Sequence, residues 1–111
     1  MNRGDVYIGR MDPVEGSEQG GTRPVVIVSR DSINNTREHV VVVPFSSSLR
    51  GRRLPSHVEV APGEGGLRTL SIAKTEHVRA VSKSRLGDRW GRLSHETMAH
   101  IEAALRVTLQ L

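Results

Sequence analysis

Short apolar runs, separated by polar and glycine-rich segments, predict a chain built mainly from β-strands. Loose alternation over residues 5–11 (DVYIGRM) indicates a first strand, and the β-branched run RPVVIVS at residues 23–29 indicates a second, buried one. The apolar run HVVVVPF at residues 39–45 is predicted to be its hairpin partner. Strict alternation in SHVEV at residues 56–60 is typical of a half-exposed strand.

The segments between these strands differ in length and in chemistry. Residues 12–22 (DPVEGSEQGGT) form a predicted loop of a length that is usually functional or disordered in a compact domain. Residues 31–35 (DSINN) and 62–66 (PGEGG) have the composition of turns, and residues 46–54 (SSSLRGRRL) that of a polar, basic loop. Residues 69–81 are predicted to hold one or two more strands, interrupted by the polar run EHVR.

The C-terminal part of the chain follows a helical period instead. Ser94 is the predicted N-cap, and Glu96 lies in the first turn, where the helix dipole favours a carboxylate. One apolar stripe follows at spacings of three, four and four residues: Met98, Ile101, Leu105 and Leu109. About five to seven short strands closed by one helix favour a small β-barrel over a parallel sheet.

Length and composition bound the fold and suggest a class of ligand. The 111 residues indicate one domain, spanning residues 1–111, whose core must be aliphatic because aromatic residues make up only 3%. The formal net charge is +4, and all but two of the 16 basic residues, Lys74 and Lys83, are arginine. Arginine forks around phosphate and stacks on bases, so this excess favours a nucleic-acid ligand. A GC-rich genome, which replaces lysine with arginine everywhere, accounts for the excess equally well.

The residue types that the sequence lacks narrow the function further. There is no cysteine, which excludes disulfides and thiolate metal sites, and we expect no metal and no cofactor. No apolar stretch approaches the roughly 20 residues of a membrane span, and the N-terminal residues MNRGD do not resemble a signal peptide. We therefore expect a cytoplasmic protein with no membrane partner.

The most specific motif lies in the long loop between the first two strands. Residues 13–24 read PVEGSEQGGTRP, and this run strongly resembles the signature of the MazF/PemK family of toxins. Further segments are similar to the same family in the same order: RGDVY at residue 3, VPFSSSLR at residue 43, LPSHVEV at residue 54, VRAVSKSRLG at residue 78 and GRLSHETM at residue 91. The resemblance covers roughly residues 3–109.

This resemblance implies a fold, an activity and partners. The fold would be a small SH3-like β-barrel of the MazF/CcdB kind with a C-terminal helix, assembled as a homodimer. The activity would be that of a toxin of a type II toxin–antitoxin system, a metal-independent mRNA interferase that cuts single-stranded RNA and inhibits translation and growth. A disordered antitoxin with an acidic C-terminal segment would lie across the RNA groove, and operator DNA would be bound only through the antitoxin complex.

Metal-free cleavage by the RNA's own 2′-hydroxyl needs a cation with forked donors and a small hydroxyl. The resemblance assigns these catalytic roles to Arg23, in the Arg-Pro pair, and to Ser46, where the family usually has threonine. The alternatives are an ordinary ion pair of Arg23 with Asp12 or Glu18, and a capping role for Ser46. The adjacent Ser47 leaves the position of the hydroxyl open.

The proton acceptor has to be a residue other than Arg23, because arginine cannot be deprotonated at neutral pH. His77 stands where the family often has glutamine, and histidine titrates near neutral pH. Glu76 is its neighbour, and one branch of the family uses an acid on this strand. Lys74 and Glu76 are two residues apart, so they share a face of a strand. Each of the three fits the role of a solvated strand residue equally well.

Contacts to RNA are predicted mainly for the basic loop and the glycine-rich loop. The candidate RNA-binding residues are Glu18, Gln19, Gly20, Ser47, Arg50, Arg52, Arg53, His57 and Arg79. Several of them also fit ordinary structural roles: the arginine run suits a solvated loop, His57 suits a structural position, and the loop glycines suit positive φ. The single tryptophan, Trp90, fits core or dimer packing better than base stacking.

Two other functions remain open at this point. One is a non-enzymatic poison that binds gyrase, similar to CcdB, which shares the barrel. The other is an RNA-binding homologue with impaired catalysis, suggested by Ser46 and His77. The Arg23 and Ser46 pair, together with the SEQGGTRP loop, favours the ribonuclease.

Overall fold

The computed structural model describes residues 1–12, 16 and 20–111 of the chain. Strands dominate it, with a short helix after the second strand and a longer one at the C-terminus. The elements in chain order are β1 (Asp5–Arg10), β2 (Thr22–Ile27), α1 (Asp31–Thr36), β3 (His39–Ser46), β4 (His57–Val60), β5 (Ser71–Lys74), β6 (Arg79–Ser82), β7 (Leu86–Arg92) and α2 (His95–Leu109). Short 3₁₀ turns lie at Glu64–Gly66, Thr75–His77 and Lys83–Arg85.

The strands form one antiparallel, barrel-like sheet in which β3 is the central member. The order is β4-β5-β3-β2-β1-β7, and β6 pairs with the first half of β3. Val26 lies opposite Val43, so β2 and β3 are the predicted antiparallel partners. Among the described residues β4 and β7, at the two ends of this order, pair only with β5 and β1, so hydrogen bonds do not close the barrel. The predicted mainly β class with a C-terminal helix is confirmed.

Strands β2 and β3 are buried on both faces, which explains their continuous apolar sequence. Successive side chains of a strand point to opposite faces. Val26 and Val43 accordingly pack in one apolar cluster with α2, whereas Val25 and Val42 pack in a second cluster. The second cluster also contains Met11, Ile27, Val40 and Val81. The second half of β2 and the end of β3 are therefore packed from two sides, whereas Thr22, Arg23 and Pro24 at the start of β2 are exposed or half-buried.

Helix α2 closes the first cluster. Ser94 is its N-cap, as predicted, and the Ser94 Oγ accepts a hydrogen bond of 3.1 Å from the Thr97 N–H. Met98 and Ile101 of the predicted stripe are buried, whereas Leu109 is half exposed at the C-terminal end. No helix of the described part of the chain is long and apolar enough to cross a membrane.

Two elements differ from the sequence prediction. Residues 31–35 are not a simple turn, because they lie in α1, where the buried Asn34 side chain donates to the Ser29 carbonyl at 2.8 Å. Strand β7 was not predicted, because its sequence LGDRWGR is polar and mostly exposed. It forms because its backbone pairs with β1 at the edge of the sheet. Backbone pairing of this kind does not require alternating apolar residues, so the sequence carries no strand pattern here.

Gly63, just before the Glu64–Gly66 turn, and Gly66, at its end, allow a test of how closely the turn packs on β7. Gly63 and Gly66 both have positive φ, +94° and +76°, but a Cβ at Gly63 would meet nothing within 4 Å. A Cβ at Gly66 would overlap the Trp90 carbonyl. We expect Gly63→Ala to cost about 1 kcal/mol through backbone strain and Gly66→Ala at least about 2 kcal/mol more. Urea unfolding at neutral pH measures both, and equal losses would contradict the packing described here.

Candidate functional site

Arg23 is fixed at the point where the glycine-rich loop enters β2. Its Nε donates to the Gly20 carbonyl at 2.6 Å, and its Nη1 donates to the Phe45 carbonyl at 3.2 Å. Its backbone lies opposite Gly9 in the β1–β2 ladder. Burial lowers the pKa of the Arg23 guanidinium, partly offset by the negative charge of Asp12. A half-buried cation is thus placed where the loop, β2 and the end of β3 meet.

A cleft of about 250 Å³ opens beside Arg23. Both charged and hydroxyl side chains line it, which suits an anionic ligand with polar edges. Its lining residues are Thr22, Arg23, Pro24, Phe45, Ser47, Leu67, Arg68, Thr69, Ser71 and Trp90. The Arg68 guanidinium carbon lies over the indole of Trp90, 4.6 Å from the ring centroid. Two arginines therefore face one cleft, from β2 and from the segment before β5.

The structure separates the two candidate hydroxyls. Ser46 is the last residue of β3 and only 4% exposed, and its Oγ accepts a hydrogen bond of 3.2 Å from the Ser48 N–H. The exposed Ser47 lines the cleft together with Phe45, as expected for residues two apart in an extended segment. The peptide between Phe45 and Ser46 lies beside Arg23, because the Phe45 carbonyl accepts from its guanidinium.

Glu76 belongs to a second polar cluster, with Ser56 and His57. Its carboxylate accepts from the Ser56 hydroxyl at 3.1 Å and lies 2.6 Å from the His57 Nε2. The His57 Nδ1 accepts from the Leu54 N–H at 3.3 Å, so Nε2 carries the proton shared with Glu76. Burial raises the pKa of Glu76, but hydrogen bonds from His57, its own backbone and Ser56 lower it by more, so the net pKa lies below the ordinary value.

The other two candidate acid–base residues lie near this cluster. Lys74 ends β5 opposite His57 in the β4–β5 ladder, and His77 ends the Thr75–His77 turn; both are half-buried. Among the residues that the structure describes, Lys74, Glu76 and His77 do not line the Arg23 cleft. In the same part of the chain, no three His, Asp or Glu side chains are grouped closely enough to hold a metal ion.

The predicted RNA-binding residues fall into different environments. Arg50 and Arg52 are exposed in the loop after β3, whereas Arg53 pairs with Glu59 at 3.1 Å and donates to the Leu49 carbonyl. Arg79 is half-buried and donates to the Met11 carbonyl at 3.0 Å. The Gly20 carbonyl holds Arg23, and His57 is bound to Glu76. Glu18 and Gln19 lie outside the described residues.

Sequence analysis missed some residues that shape this region. Arg85 donates to the carbonyls of Arg10 and Asp12, and the Asp12 carboxylate accepts from the Gly21 N–H at 3.0 Å. These bonds tie together the two ends of the glycine-rich loop. Arg68 lies between a predicted turn and a predicted strand, and no local pattern marks it as a cleft residue.

Comparison with known proteins shows what this chain is similar to. Residues 2–109 match the family described as PemK-like, MazF-like toxin of type II toxin–antitoxin system. The chain is 35% identical to Endoribonuclease EndoA of Bacillus subtilis and 36% identical to Endoribonuclease MazF of Staphylococcus saprophyticus. Each match spans 100% of this chain, with 96% of the first relative and 92% of the second.

A solved structure has the same fold. It is an endoribonuclease in complex with its cognate antitoxin, from a mycobacterial species. The TM-score is 0.82 at 27% identity, covering 100% of this chain and 96% of that one.

The Glu76 cluster makes stability depend on pH. The pKa of Glu76 is lower in the folded chain than in the unfolded one, so its stabilising effect is complete above the unfolded value and is lost as pH falls through the folded value. We expect the parent to lose more stability between about pH 7 and about pH 3 than Glu76→Gln does. Urea unfolding across this range checks the difference, with the exposed Glu38→Gln as the control. Parallel curves for parent and Glu76→Gln would contradict the assignment.

Proposed function

We propose that this chain, which belongs to the family of PemK-like, MazF-like toxins of type II toxin–antitoxin systems, cuts single-stranded RNA without a metal ion. Family membership was predicted from the loop motif and is confirmed. The chain is an endoribonuclease, like the two relatives it matches along its whole length. In the proposed reaction the 2′-hydroxyl attacks the adjacent phosphate, and the products carry a 2′,3′-cyclic phosphate and a 5′-hydroxyl.

The fixed guanidinium of Arg23 is the observation that carries this proposal. Attack by the 2′-hydroxyl places extra negative charge on the phosphate oxygens, and a preorganised cation stabilises that charge without reorganising. Hydrogen bonds to the Gly20 and Phe45 carbonyls hold Arg23 at the edge of the cleft before substrate arrives. Arg23 then acts as the transition-state donor, and not as the base.

A hydroxyl from the end of β3 completes the donor set. We assign this role to Ser46, following the family resemblance. The buried Ser46 Oγ also accepts from the Ser48 N–H, so it fixes the backbone that presents Ser47 to the cleft. Ser47 is therefore the alternative donor, and variants at the two positions distinguish them.

The proton acceptor is proposed to be one of Lys74, at the end of β5, and Glu76 and His77, in the segment that joins β5 and β6. His77 is favoured over Glu76, because the lowered pKa of Glu76 makes its carboxylate a weaker base, and Lys74 is kept as the third candidate. Glu76 is also engaged in the pair with His57. Arg50 and Arg52 are proposed to attract the RNA backbone from their exposed loop.

The test is cleavage of single-stranded RNA by the purified chain in excess EDTA. We expect cleavage with unchanged rate, and 5′ ends that polynucleotide kinase labels without phosphatase treatment. Cleavage that vanishes in EDTA and returns with Mg²⁺ would overturn the metal-independent mechanism. No cleavage in either condition would overturn the ribonuclease proposal itself.

Four variants test the site assignment in the same assay. Arg23→Ala should lose about two to three orders of magnitude in rate while unfolding as cooperatively as the parent. If Ser46 is the hydroxyl donor, Ser46→Ala loses activity, Ser46→Thr keeps or raises it, and Ser47→Ala changes little. The reverse order for the two alanine variants would assign the role to Ser47. An Arg23→Ala variant as active as the parent would show that the site is elsewhere.

The proposed partners follow from charge and from exposed apolar surface. A homodimer would cover the apolar residues that α2 leaves exposed, Val107 and Leu109 among them. An acidic antitoxin segment would compete with RNA for one positive groove shared by the two subunits. We expect a dimer by light scattering at micromolar concentration, and displacement of labelled RNA by an acidic antitoxin peptide. A monomer, or simultaneous binding of RNA and peptide, would contradict the shared groove.

A further inference from the structure

Arg68 and Trp90 form a stacked pair within the Arg23 cleft. The guanidinium carbon of Arg68 lies 4.6 Å from the centroid of the Trp90 ring, within the range of an attractive cation–π contact. Both side chains line the same cleft as Arg23. They come from different elements, Trp90 from β7 and Arg68 from the segment that leads into β5.

The pair is fixed on one side and open on the other. Trp90 is half-buried and packs against the core cluster that also contains Leu67 and Leu93. Its backbone is covered by the Glu64–Gly66 turn, where no atom can be added at Gly66. Arg68 is exposed, and none of the described carboxylates forms an ion pair with it. Trp90 thus supports a planar cation at the cleft that no carboxylate of the described residues compensates.

We propose that the Arg68–Trp90 pair binds one unpaired base of the RNA, next to the phosphate held by Arg23. The base stacks on the face of the Arg68 guanidinium that points away from the indole. This inference rests on the proposed function, because it assigns a subsite to the same cleft. Bases of single-stranded RNA are commonly held on arginine planes as well as on aromatic rings.

The geometry favours a base over a second phosphate as the partner of Arg68. A phosphate is bound through the N–H edges of a guanidinium. A lysine ammonium can replace the guanidinium in that role, because it supplies the same charge as a point charge. Stacking needs the flat face and a support that holds it still, which is what Trp90 provides. A stacked base also restricts the sugar beside it, so the pair would position the nucleotide for attack.

The first experiment measures binding without cleavage. The probe is a fluorescein-labelled, mixed-sequence single-stranded DNA, which lacks the attacking 2′-hydroxyl, and fluorescence anisotropy reports its affinity. We expect Arg68→Ala and Arg68→Lys each to bind about 5- to 100-fold more weakly than the parent, as for loss of one stacked base. Arg37→Ala is the control, because it removes the same charge from an exposed position after α1 that does not line the cleft. Parent-like binding by Arg68→Lys would overturn stacking in favour of a charge contact.

The second experiment locates the base. Abasic nucleotides are placed singly on either side of the mapped cut in a short RNA, and KM and kcat are measured. With the parent protein, an abasic nucleotide at one position should raise KM by about the same factor as the Arg68→Ala substitution does with intact RNA. With the Arg68→Ala variant, an abasic nucleotide at that same position should raise KM no further. If the effects of Arg68→Ala and of the abasic nucleotide on KM multiply at every position, Arg68 contacts no base.

Trp90 offers a direct signal, because it is the only tryptophan of the chain. Binding of the DNA probe should change the Trp90 fluorescence in the parent, and the change should shrink in Arg68→Ala.

The base-site proposal and the ribonuclease proposal can fail separately. If the parent binds the probe with these signatures but does not cut RNA, the ribonuclease proposal fails and the base site stands. If the parent cuts RNA while Arg68→Ala keeps parent-like KM and affinity, the base site fails and the ribonuclease proposal stands.

Discussion

The geometry of the site depends on hydrogen bonds that the Arg23 guanidinium donates to the carbonyls of Gly20 and Phe45. They join the end of the glycine-rich loop, the start of β2 and the end of β3. Hydrogen bonds to a charged group each contribute about 1.5–3 kcal/mol, more than neutral ones. The strands they connect continue into the two apolar clusters, so the guanidinium is attached to segments that are anchored in the core. A cation held in this way needs little rearrangement when charge develops on a phosphate.

The high arginine content has a structural cause besides the nucleic-acid one. Arg79 and Arg85 donate to backbone carbonyls at the base of the glycine-rich loop, and Arg3 donates to the Val28 carbonyl and pairs with Glu102. These side chains replace hydrogen bonds that a small domain with few elements cannot supply from its backbone alone. The basic surface available to RNA is accordingly smaller than the net charge suggests, and Arg50, Arg52 and Arg68 are among its exposed members.

Local sequence patterns predicted the parts of this molecule whose burial is uniform or periodic. The β-branched runs of β2 and β3 and the period of α2 are of this kind, and Arg23 became a candidate because a motif places it at a strand start. Strand β7 and helix α1 were missed, because one forms by edge pairing and the other around the buried Asn34. The Arg68–Trp90 contact joins residues 22 positions apart through the Glu64–Gly66 turn, and no local pattern encodes it.

The single-turnover cleavage rate of Arg23→Lys tests the central role of Arg23 most directly. Lysine keeps the positive charge but lacks the planar fork that binds two carbonyls and a phosphate together. If preorganised forked donors are the source of catalysis, Arg23→Lys should cleave nearly as slowly as Arg23→Ala, within about tenfold. Both variants should fold like the parent. A rate for Arg23→Lys close to that of the parent would contradict this account, because a simple positive charge would then be sufficient.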